Sequence, residues 1–352
     1  MHQPGVTVVI PCFNYGRFVA DAARSALVQQ GFDPGLVRVV IVDDGSTDGT
    51  TPAACDACAD LPGAADRVRV VHQENLGLPA ARNAGAAGAT TPLLLFLDAD
   101  DHLAPTALAD LAGALAGEER AGRGGDVSHA YGQQTLSELG HGTWRVPEWD
   151  PLLLGITNLH AATALVRRDR FEAVGGYAPD MRDGYEDWDL WLKFAERGWR
   201  GVRVRRPVFV WRRHSHDTMI HRSLPRHDEL YQRLIDRHRA YYERHALRLV
   251  ARANTMLARA GATWLDEDLE PIFIRDMKSW NADLVRERDD ARAQLAEARA
   301  RLGEAERQLA ALETQPAVRA TRAAHRALDR LPGALSRPVR GLARRLGRAL
   351  AG

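Results

Sequence analysis

The 352-residue sequence has three cysteines, no long apolar run and no secretory signal, and each absence excludes a class of protein. Three cysteines cannot build a disulfide framework, which is typical of proteins from a reducing cytosol. The longest apolar run, residues 92–97, is far shorter than the ~18 residues that a membrane span needs. Because the N-terminus also lacks a signal peptide, we expect a cytoplasmic protein.

Two nucleotide-binding fingerprints are also missing. No GxGxxG follows the first predicted strand, which argues against a dinucleotide-binding domain. No GxxxxGK[ST] loop occurs, which excludes a P-loop NTPase. The composition, with 45% apolar and 26% charged residues, is that of an ordinary globular protein, so disorder throughout is excluded.

The net charge of +1 conceals an uneven distribution. Residues 317–352 contain nine arginines and one acid, a net charge of +8, so residues 1–316 carry −7. An acidic body with a basic tail suggests that the tail has an anionic surface as its partner.

The first hundred residues alternate apolar strand patterns with helical patterns. The predicted strands are Val6–Ile10, Val37–Val42, Val68–Val71 and Leu93–Leu97. Nearly continuous apolar strands separated by helices indicate a mostly parallel, Rossmann-like sheet with helices on both faces. We therefore predict an α/β domain over residues 1–216, with a first half at 1–104 and a second half at 105–216. Within the second half, residues 202–205 and 208–211 read as two short strands.

The rest of the chain is predicted to be helical, in three parts. Residues 217–279 form a helical extension. Apolar residues then recur at heptad spacing from Leu284 to Leu312, which predicts a coiled coil over 280–315 and a homo-oligomer. Residues 316–352 form a basic tail that would be an amphipathic helix, with an apolar stripe opposite its arginines. Such a helix suits an anionic membrane surface better than nucleic acid, and packing on the acidic body is the alternative.

The strongest chemical signal is the acidic segment after the fourth strand. Asp98 and Asp100 lie two residues apart, so their carboxylates can converge on one point. Hard oxygen ligands of this kind suit Mg²⁺ or Mn²⁺. Turn and helix-cap chemistry is the alternative, but a cap needs one acid and this segment has three in four residues.

Other candidate residues are weaker when each is taken alone. Asp44 follows the second strand, where an ordinary Asx turn is the better explanation and a hydrogen bond to a base or ribose is the alternative. Arg82 lies in the first turns of a helix and could reach a phosphate, or it could be a solvated surface arginine. Glu186 and Asp187 begin a helix, where acids also favour the helix dipole. The tryptophans that follow them are expected to be core residues.

Two further groups carry little information without the fold. His214 and His216 follow the last predicted strand and matter only if the fold brings one of them to Asp100. Cys55 and Cys58 form a single CxxC pair, and a zinc site needs four ligands, so we expect two thiols on a helix face.

Taken together, the motifs resemble glycosyltransferase family 2, whose members have the GT-A fold and invert the anomeric configuration. The resemblance covers about residues 5–216, and its specificity lies in the order and spacing of the pieces. The matching segments are Val8–Asn14, Val42–Thr50, Asn75–Gly77 with Ala81–Asn83, Phe96–Asp101, Gly175–Tyr177 and Glu186–Trp191.

The resemblance implies a nucleotide-sugar half at 1–104, an acceptor half at 105–216 and a role for each matching residue. Pro11 and Phe13 would form the wall that holds the nucleotide base, and Asp44 would pair with the base edge. Arg82 would flank the base or the diphosphate.

Asp98 and Asp100 look like the DxD pair of the family, with Asp98 toward the ribose or donor sugar and Asp100 on the metal. Asp187 is similar to the catalytic base, and His214 resembles a late histidine on the metal or diphosphate, although His216 stands two residues away.

The implied activity is metal-dependent, inverting transfer of a sugar from a nucleotide sugar to a hydroxyl of a saccharide or lipid-linked acceptor. Bacterial surface polysaccharide or glycolipid synthesis is the process that such an enzyme would serve, at the inner face of the cytoplasmic membrane if the tail binds lipid. One alternative is a catalytically silent scaffold that positions the coiled coil. A sugar-1-phosphate nucleotidyltransferase is another, which the loop after the first strand disfavours because it lacks a glycine-rich basic sequence.

Overall fold

A computed structural model of the chain describes residues 3–138, 142–213 and 219–263, with ten further helical residues between 293 and 307. The chain divides into two units, Met1–Arg275 and Asp276–Gly352. All the candidate site residues that the structure describes lie in the first unit.

A mixed sheet forms the framework of the first unit. Its strands are β1 (Val6–Cys12), β2 (Val37–Asp44), β3 (Val68–Gln73), β4 (Leu93–Phe96), β5 (His102–Leu103), β6 (Val127–Glu138), β7 (Gly142–Trp144), β8 (Ala164–Arg167) and β9 (Arg200–Arg213). Their order across the sheet is β3-β2-β1-β4-β8-β6-β9-β5, and β7 pairs with β6 beside this path.

The four strands predicted in the first hundred residues are confirmed, and they pair in parallel. Beyond β4 the expected mostly parallel sheet is a mixed one. Strand β8 runs antiparallel to both β4 and β6, whereas β6 and β9 are parallel. The only helix in the segment between β7 and β8 has four residues, Pro151–Leu154.

Helices cover both faces of the sheet. They are α1 (Gly16–Leu27), α2 (Thr51–Ala57), α3 (Leu78–Ala87), α4 (Ala107–Arg120), α5 (Pro151–Leu154), α6 (Arg168–Ala173), α7 (Glu186–Glu196), α8 (Met219–Ser223), α9 (His227–Arg237) and α10 (Arg239–Thr263). On one face, Val8 and Ile10 of β1 belong to the core that contains residues of α1 and α4. On the other face, Val9 belongs to the core formed with α6 and α7. Burial on both faces explains why β1 is a continuous apolar run.

The two short strands predicted at 202–205 and 208–211 are parts of one strand, β9. The prediction of two separate strands is therefore wrong. Pro207 lies at an irregularity in the pairing with β6. Proline lacks a backbone N–H, and it interrupts the ladder there without ending the strand.

The C-terminal predictions are covered in part. Helices α8 to α10 lie in the predicted extension at 217–279. The described residues between 293 and 307 are helical, and their pairing into a coiled coil stays a prediction. The tail at 316–352 lies outside the described residues. Among the residues that the structure describes, no helix is long and apolar enough to cross a membrane.

Candidate active site

The loops that follow β1 and β2 hold each other at the carboxyl edge of the sheet. Asn14 adopts a left-handed conformation, with φ of 60°. Its Oδ1 accepts hydrogen bonds from the backbone N–H groups of Thr47 and Asp48, at 2.8 and 3.2 Å, and its own N–H donates to Ser46 Oγ at 3.0 Å. The asparagine of the first motif therefore fixes the loop of the second.

Asp44, the predicted partner of the base edge, is buried and holds the loop after β3. Its Oδ1 accepts from Gln73 Nε2 and from the N–H of Leu76, at 2.7 and 3.0 Å, and its Oδ2 accepts from the N–H of Gly77 at 2.8 Å. The next residue, Gly45, has φ of 69°, and a Cβ there would lie 2.6 Å from the backbone nitrogen of Asn75. The close approach of the two loops therefore requires glycine at this position.

The acidic segment after β4 folds into a tight turn. The N–H of Asp101 donates to the carbonyl oxygen of Asp98 at 3.0 Å. Asp98 and Asp100 are half-buried, whereas Asp101 is buried, and its Oδ1 accepts from the N–H of Arg212 in β9 at 2.8 Å. Burial first, and then the nearby Asp100 and Asp98 carboxylates, raise the pKa of Asp101 well above its usual range.

Arg82 joins this segment to the start of α7. Its side chain is 1% exposed. Nη2 donates to Asp98 Oδ1 at 2.7 Å and Nη1 donates to Glu186 Oε1 at 2.6 Å, and the guanidinium carbon lies 5.2 Å from the centre of the Tyr177 ring. We expected Arg82 to flank the base or diphosphate, but its charge is already shared by two carboxylates. A direct contact between Arg82 and the donor therefore stays a prediction.

The segment around Tyr177 is bound to α3 beside Arg82. Asn83 Nδ2 donates to the carbonyl oxygen of Tyr177 at 2.8 Å, and the N–H of Tyr177 donates to Asn83 Oδ1 at 2.9 Å. Gly176 has φ of 66°, and a Cβ there would lie 2.6 Å from Asn83 Oδ1. The reciprocal pair fixes two of the motifs, which lie 94 residues apart, to each other.

Asp187, the predicted catalytic base, is half-buried in the first turn of α7. Its Oδ1 accepts from the N–H of Trp188 at 2.7 Å, and the side chain of Asn158 also hydrogen-bonds to it. Burial first, and then the negative charge of Glu186, raise the pKa of Asp187 to about 7, against the opposing effect of Arg82. A carboxylate with a pKa near 7 is suited to accept a proton at physiological pH.

The remaining predicted site residues are placed as follows. Pro11 is buried in β1, and Phe13 is 39% exposed just beyond it, so Phe13 offers an apolar face at the carboxyl edge of the sheet. His214 and His216 lie outside the described residues. Cys55 and Cys58 are buried free thiols, as is the cysteine of the first motif, and the predicted core tryptophans of α7 are buried.

The carboxylates at the end of β4 fit a divalent cation as a partial ligand set. In the described part of the chain, no group of three or more His, Cys, Asp or Glu side chains is arranged to hold a metal ion. Mg²⁺ is usually bound through one or two carboxylates and completed by substrate phosphates and water. The half-buried carboxylates of Asp98 and Asp100 would supply the negative charge that such an ion neutralises.

Several residues of this site were not assigned roles from the sequence. Glu186 and Asp101 appeared only as neighbours of the predicted acids, and Asn158 carried no signal. Asn14 and Asn83 stand inside the motifs, and an asparagine beside a predicted turn or helix start is the signal that could have identified them as loop-fixing residues.

A profile described as Glycosyl transferase family 2 matches residues 7–175, from β1 through α6. The putative glycosyltransferase EpsE of Bacillus subtilis is 28% identical over 217 residues, which are 60% of this chain and 74% of that protein. An uncharacterized glycosyltransferase of Nostoc sp. is 38% identical over 100 residues, 28% of this chain and 29% of that protein. The matches to the first curated relatives span less than a third of the length of those proteins.

Solved structures also match. The crystal structure of S. aureus TarS is 20% identical, with a TM-score of 0.48 over 59% of this chain and 37% of that chain. The crystal structure of S. aureus TarS 1-349 in complex with UDP-GlcNAc is also 20% identical, with a TM-score of 0.48 over 61% of this chain and 60% of that chain. The profile match and the curated relatives agree with the motifs found in the sequence, and residues 7–175, just under half of the chain, match glycosyltransferase family 2.

Proposed function

We propose that this chain is a metal-dependent, inverting glycosyltransferase that moves a sugar from a nucleotide sugar to a hydroxyl group of an acceptor. The observation that carries the proposal is the meeting of two acidic motifs at one edge of the sheet. Arg82 contacts both the Asp98 carboxylate after β4 and the Glu186 carboxylate beside Asp187. A donor held at the first motif would therefore lie near the base of the second.

Asp187 is the proposed general base. Its pKa of about 7 means that it is largely ionised just above neutral pH and ready to take the proton of the attacking hydroxyl. A carboxylate has about four acceptor positions, and the donors from Trp188 and Asn158 leave capacity for an acceptor hydroxyl. Single displacement from the face of the base would invert the anomeric centre.

Asp98 and Asp100 are the proposed residues for the donor and its metal. A bound Mg²⁺ or Mn²⁺ would supply Lewis-acid stabilisation of the leaving diphosphate. The chain's own contribution is to hold the two carboxylates in a tight turn at the end of β4, with Asp98 oriented by Arg82. Pro11, Phe13 and Asp44 would enclose the base, and Asp44 would do so through the loop that it fixes.

The acceptor is proposed to be a saccharide or a lipid-linked saccharide of bacterial surface polysaccharide synthesis. The relatives include EpsE and EpsH of Bacillus subtilis, both named as putative glycosyltransferases. The basic tail, with its apolar stripe, supports a location at an anionic membrane surface. Flotation of the full chain with anionic vesicles at low salt tests the tail, and failure to float would overturn the membrane part of the proposal.

Transfer itself is tested by incubating the protein with a panel of nucleotide sugars, simple saccharide acceptors and Mn²⁺ or Mg²⁺. We expect release of the nucleoside diphosphate with one donor, and loss of that release in Asp100→Ala. Asp183→Asn is a matched control, because Asp183 pairs with Arg226 and Arg233 on the surface. If Asp100→Ala is as active as the wild type, the metal assignment is wrong. If the wild-type protein releases no diphosphate from any donor, the result favours the catalytically silent scaffold over the transferase.

A further inference from the structure

Arg82 makes its contacts within the protein, unlike an arginine whose guanidinium is open to a ligand. The side chain is 1% exposed, and its two terminal nitrogens are each within 2.7 Å of a different carboxylate. Glu186, one of these partners, is itself 5% exposed. An arginine that is buried between two carboxylates and the ring of Tyr177 has little freedom to turn toward a donor molecule.

The two carboxylates belong to segments that are distant in sequence. Asp98 follows β4, 16 residues after Arg82, whereas Glu186 begins α7, 104 residues after it. The planar guanidinium donates in fixed directions, so it sets the spacing of the two oxygens that it binds. Because Asp187 follows Glu186 directly, whatever fixes Glu186 also fixes the backbone that carries Asp187.

We propose that Arg82 is a positioning residue that ties the start of α7, and with it Asp187, to the carboxylate turn after β4. This inference rests on the proposed function, in which Asp187 is the base. It assigns the loss of activity in an Arg82 variant to misplacement of the base, and not to lost contact with the donor.

The second consequence concerns the charges that surround Asp187. Glu186 lies beside it on α7, Arg82 faces it from α3, and Tyr177 and Tyr185 approach it from the segment before α7. Glu186 raises the pKa of Asp187 and Arg82 lowers it, so the two members of the ion pair act on the base in opposite directions. A role that is only structural would not shift the pH profile in opposite directions when each partner is neutralised.

The first test separates turnover from donor affinity in Arg82→Met and Arg82→Lys. We expect kcat to fall by about 10²-fold in Arg82→Met, because a misplacement of ~1 Å costs about that much. Donor affinity measured by calorimetry should change by less than ~5-fold, since the Asp98 turn keeps its own backbone hydrogen bond. Arg82→Lys is the second variant if Arg82→Met does not fold. A large loss of donor affinity with unchanged kcat would show that Arg82 binds the donor, and the proposal would be wrong.

The second test follows the acid limb of kcat/KM against pH. Glu186→Gln should move this limb to lower pH, and Arg82→Met, which removes the positive charge, should move it to higher pH, because the limb reports the pKa of Asp187 in the free enzyme. Arg200→Met is the matched control, since Arg200 pairs with Glu118 at 2.6 Å, away from the acidic motifs, and should leave the limb in place. If the acid limb lies at the same pH in wild type, Glu186→Gln and Arg82→Met, the proposal is overturned.

A third measurement does not need activity and so distinguishes the failure of this inference from the failure of the proposed function. The melting temperatures of Arg82→Met, Glu186→Met and the double variant form a double-mutant cycle. We expect the double variant to be clearly more stable than the sum of the single effects predicts, because each single change leaves a buried charge without its partner. Additive losses would mean that the pair does not hold the two segments together, even in a protein that is an active transferase.

Discussion

Asp187→Asn should abolish transfer and stabilise the fold at the same time. Asn keeps an oxygen that can accept from the N–H of Trp188, and it removes a negative charge beside Glu186. Loss of a general base typically lowers the rate by 10² or more, which is a barrier increase of about 3 kcal/mol. The same charge is unfavourable in the folded state, because burial and Glu186 raise the pKa of Asp187 from 3.8 to about 7.

The size of the stability gain follows from proton linkage. The folded pKa lies above the unfolded value, so the carboxyl group contributes fully below pH 3.8, and its contribution is lost as pH rises toward 7. A rise in pKa from 3.8 to about 7 corresponds to about 4 kcal/mol of lost stability at pH 8, and this is the upper limit of what Asp187→Asn should recover.

Urea unfolding at pH 8 and at pH 4 measures this gain in stability. The pH dependence of kcat/KM from pH 5 to 9 measures the titration of the base. Wild-type kcat/KM should fall about tenfold per pH unit below pH 7, since only the ionised base is active. Asp183→Asn, which removes a charge four residues before Asp187, should leave both measurements unchanged. If Asp187→Asn is less stable than the wild type at pH 8, or keeps its transfer rate, the electrostatic account of this base is wrong.

Three further predictions concern other parts of the chain. Acidification from pH 7 to 5 should cost the fold about 2 kcal/mol through His160, because burial lowers its pKa from 6.5 to about 3 and the unfolded chain takes up a proton first. Urea unfolding should show this pH dependence in the wild type and a weaker one in His160→Gln, where the neighbouring His129, whose pKa burial also lowers, still contributes. Asp44→Ala should speed hydrogen exchange at the amides of Leu76 and Gly77 and weaken donor binding, and unchanged exchange would mean that Asp44 does not fix the loop. Ending the chain near Trp280 should convert an oligomer into a monomer by light scattering, and an equal mass per particle would refute the coiled coil.

The sequence was most informative where a residue's environment follows from local pattern. β1 is buried on both faces, so its apolar run identified it directly, and the same holds for β2 and β4. β5 and β7 have two and three residues, and a pattern with a period of two cannot be recognised over so short a length. These strands exist because neighbouring strands offer unpaired edges, which is a tertiary effect.

The sequence alone did not indicate which buried charged residues pair with each other. The motifs placed Arg82 and Asp98 near the donor, but nothing local indicates that Arg82 also reaches Glu186 across 104 residues. Asp44 likewise looked like a carboxylate open to a ligand, whereas the loop after β3 folds against it. Spacing identifies which residues collect at the sheet edge, whereas the fold decides which of them face each other and which remain for a ligand.

The surplus of carboxylates at this edge leads to a final prediction, that donor binding itself requires the divalent cation. Asp98 and Asp100 lie in one turn, and the positive charge of Arg82 is already divided between Asp98 and Glu186. A nucleoside diphosphate carries its own negative charges, so its approach is opposed until a cation lies between it and the turn.

Calorimetry with a panel of nucleoside diphosphates, in Mn²⁺ and in a chelator, measures this requirement. We expect at least tenfold weaker binding in the chelator, about 1.4 kcal/mol, for wild type and for the Asp183→Asn control alike. Asp100→Asn should lose most of the difference, because it removes both a proposed metal ligand and one of the repelling charges. Its affinity in the chelator should therefore not fall below that of the wild type. Equal wild-type affinity with and without the metal would mean that the carboxylate turn does not face the diphosphate.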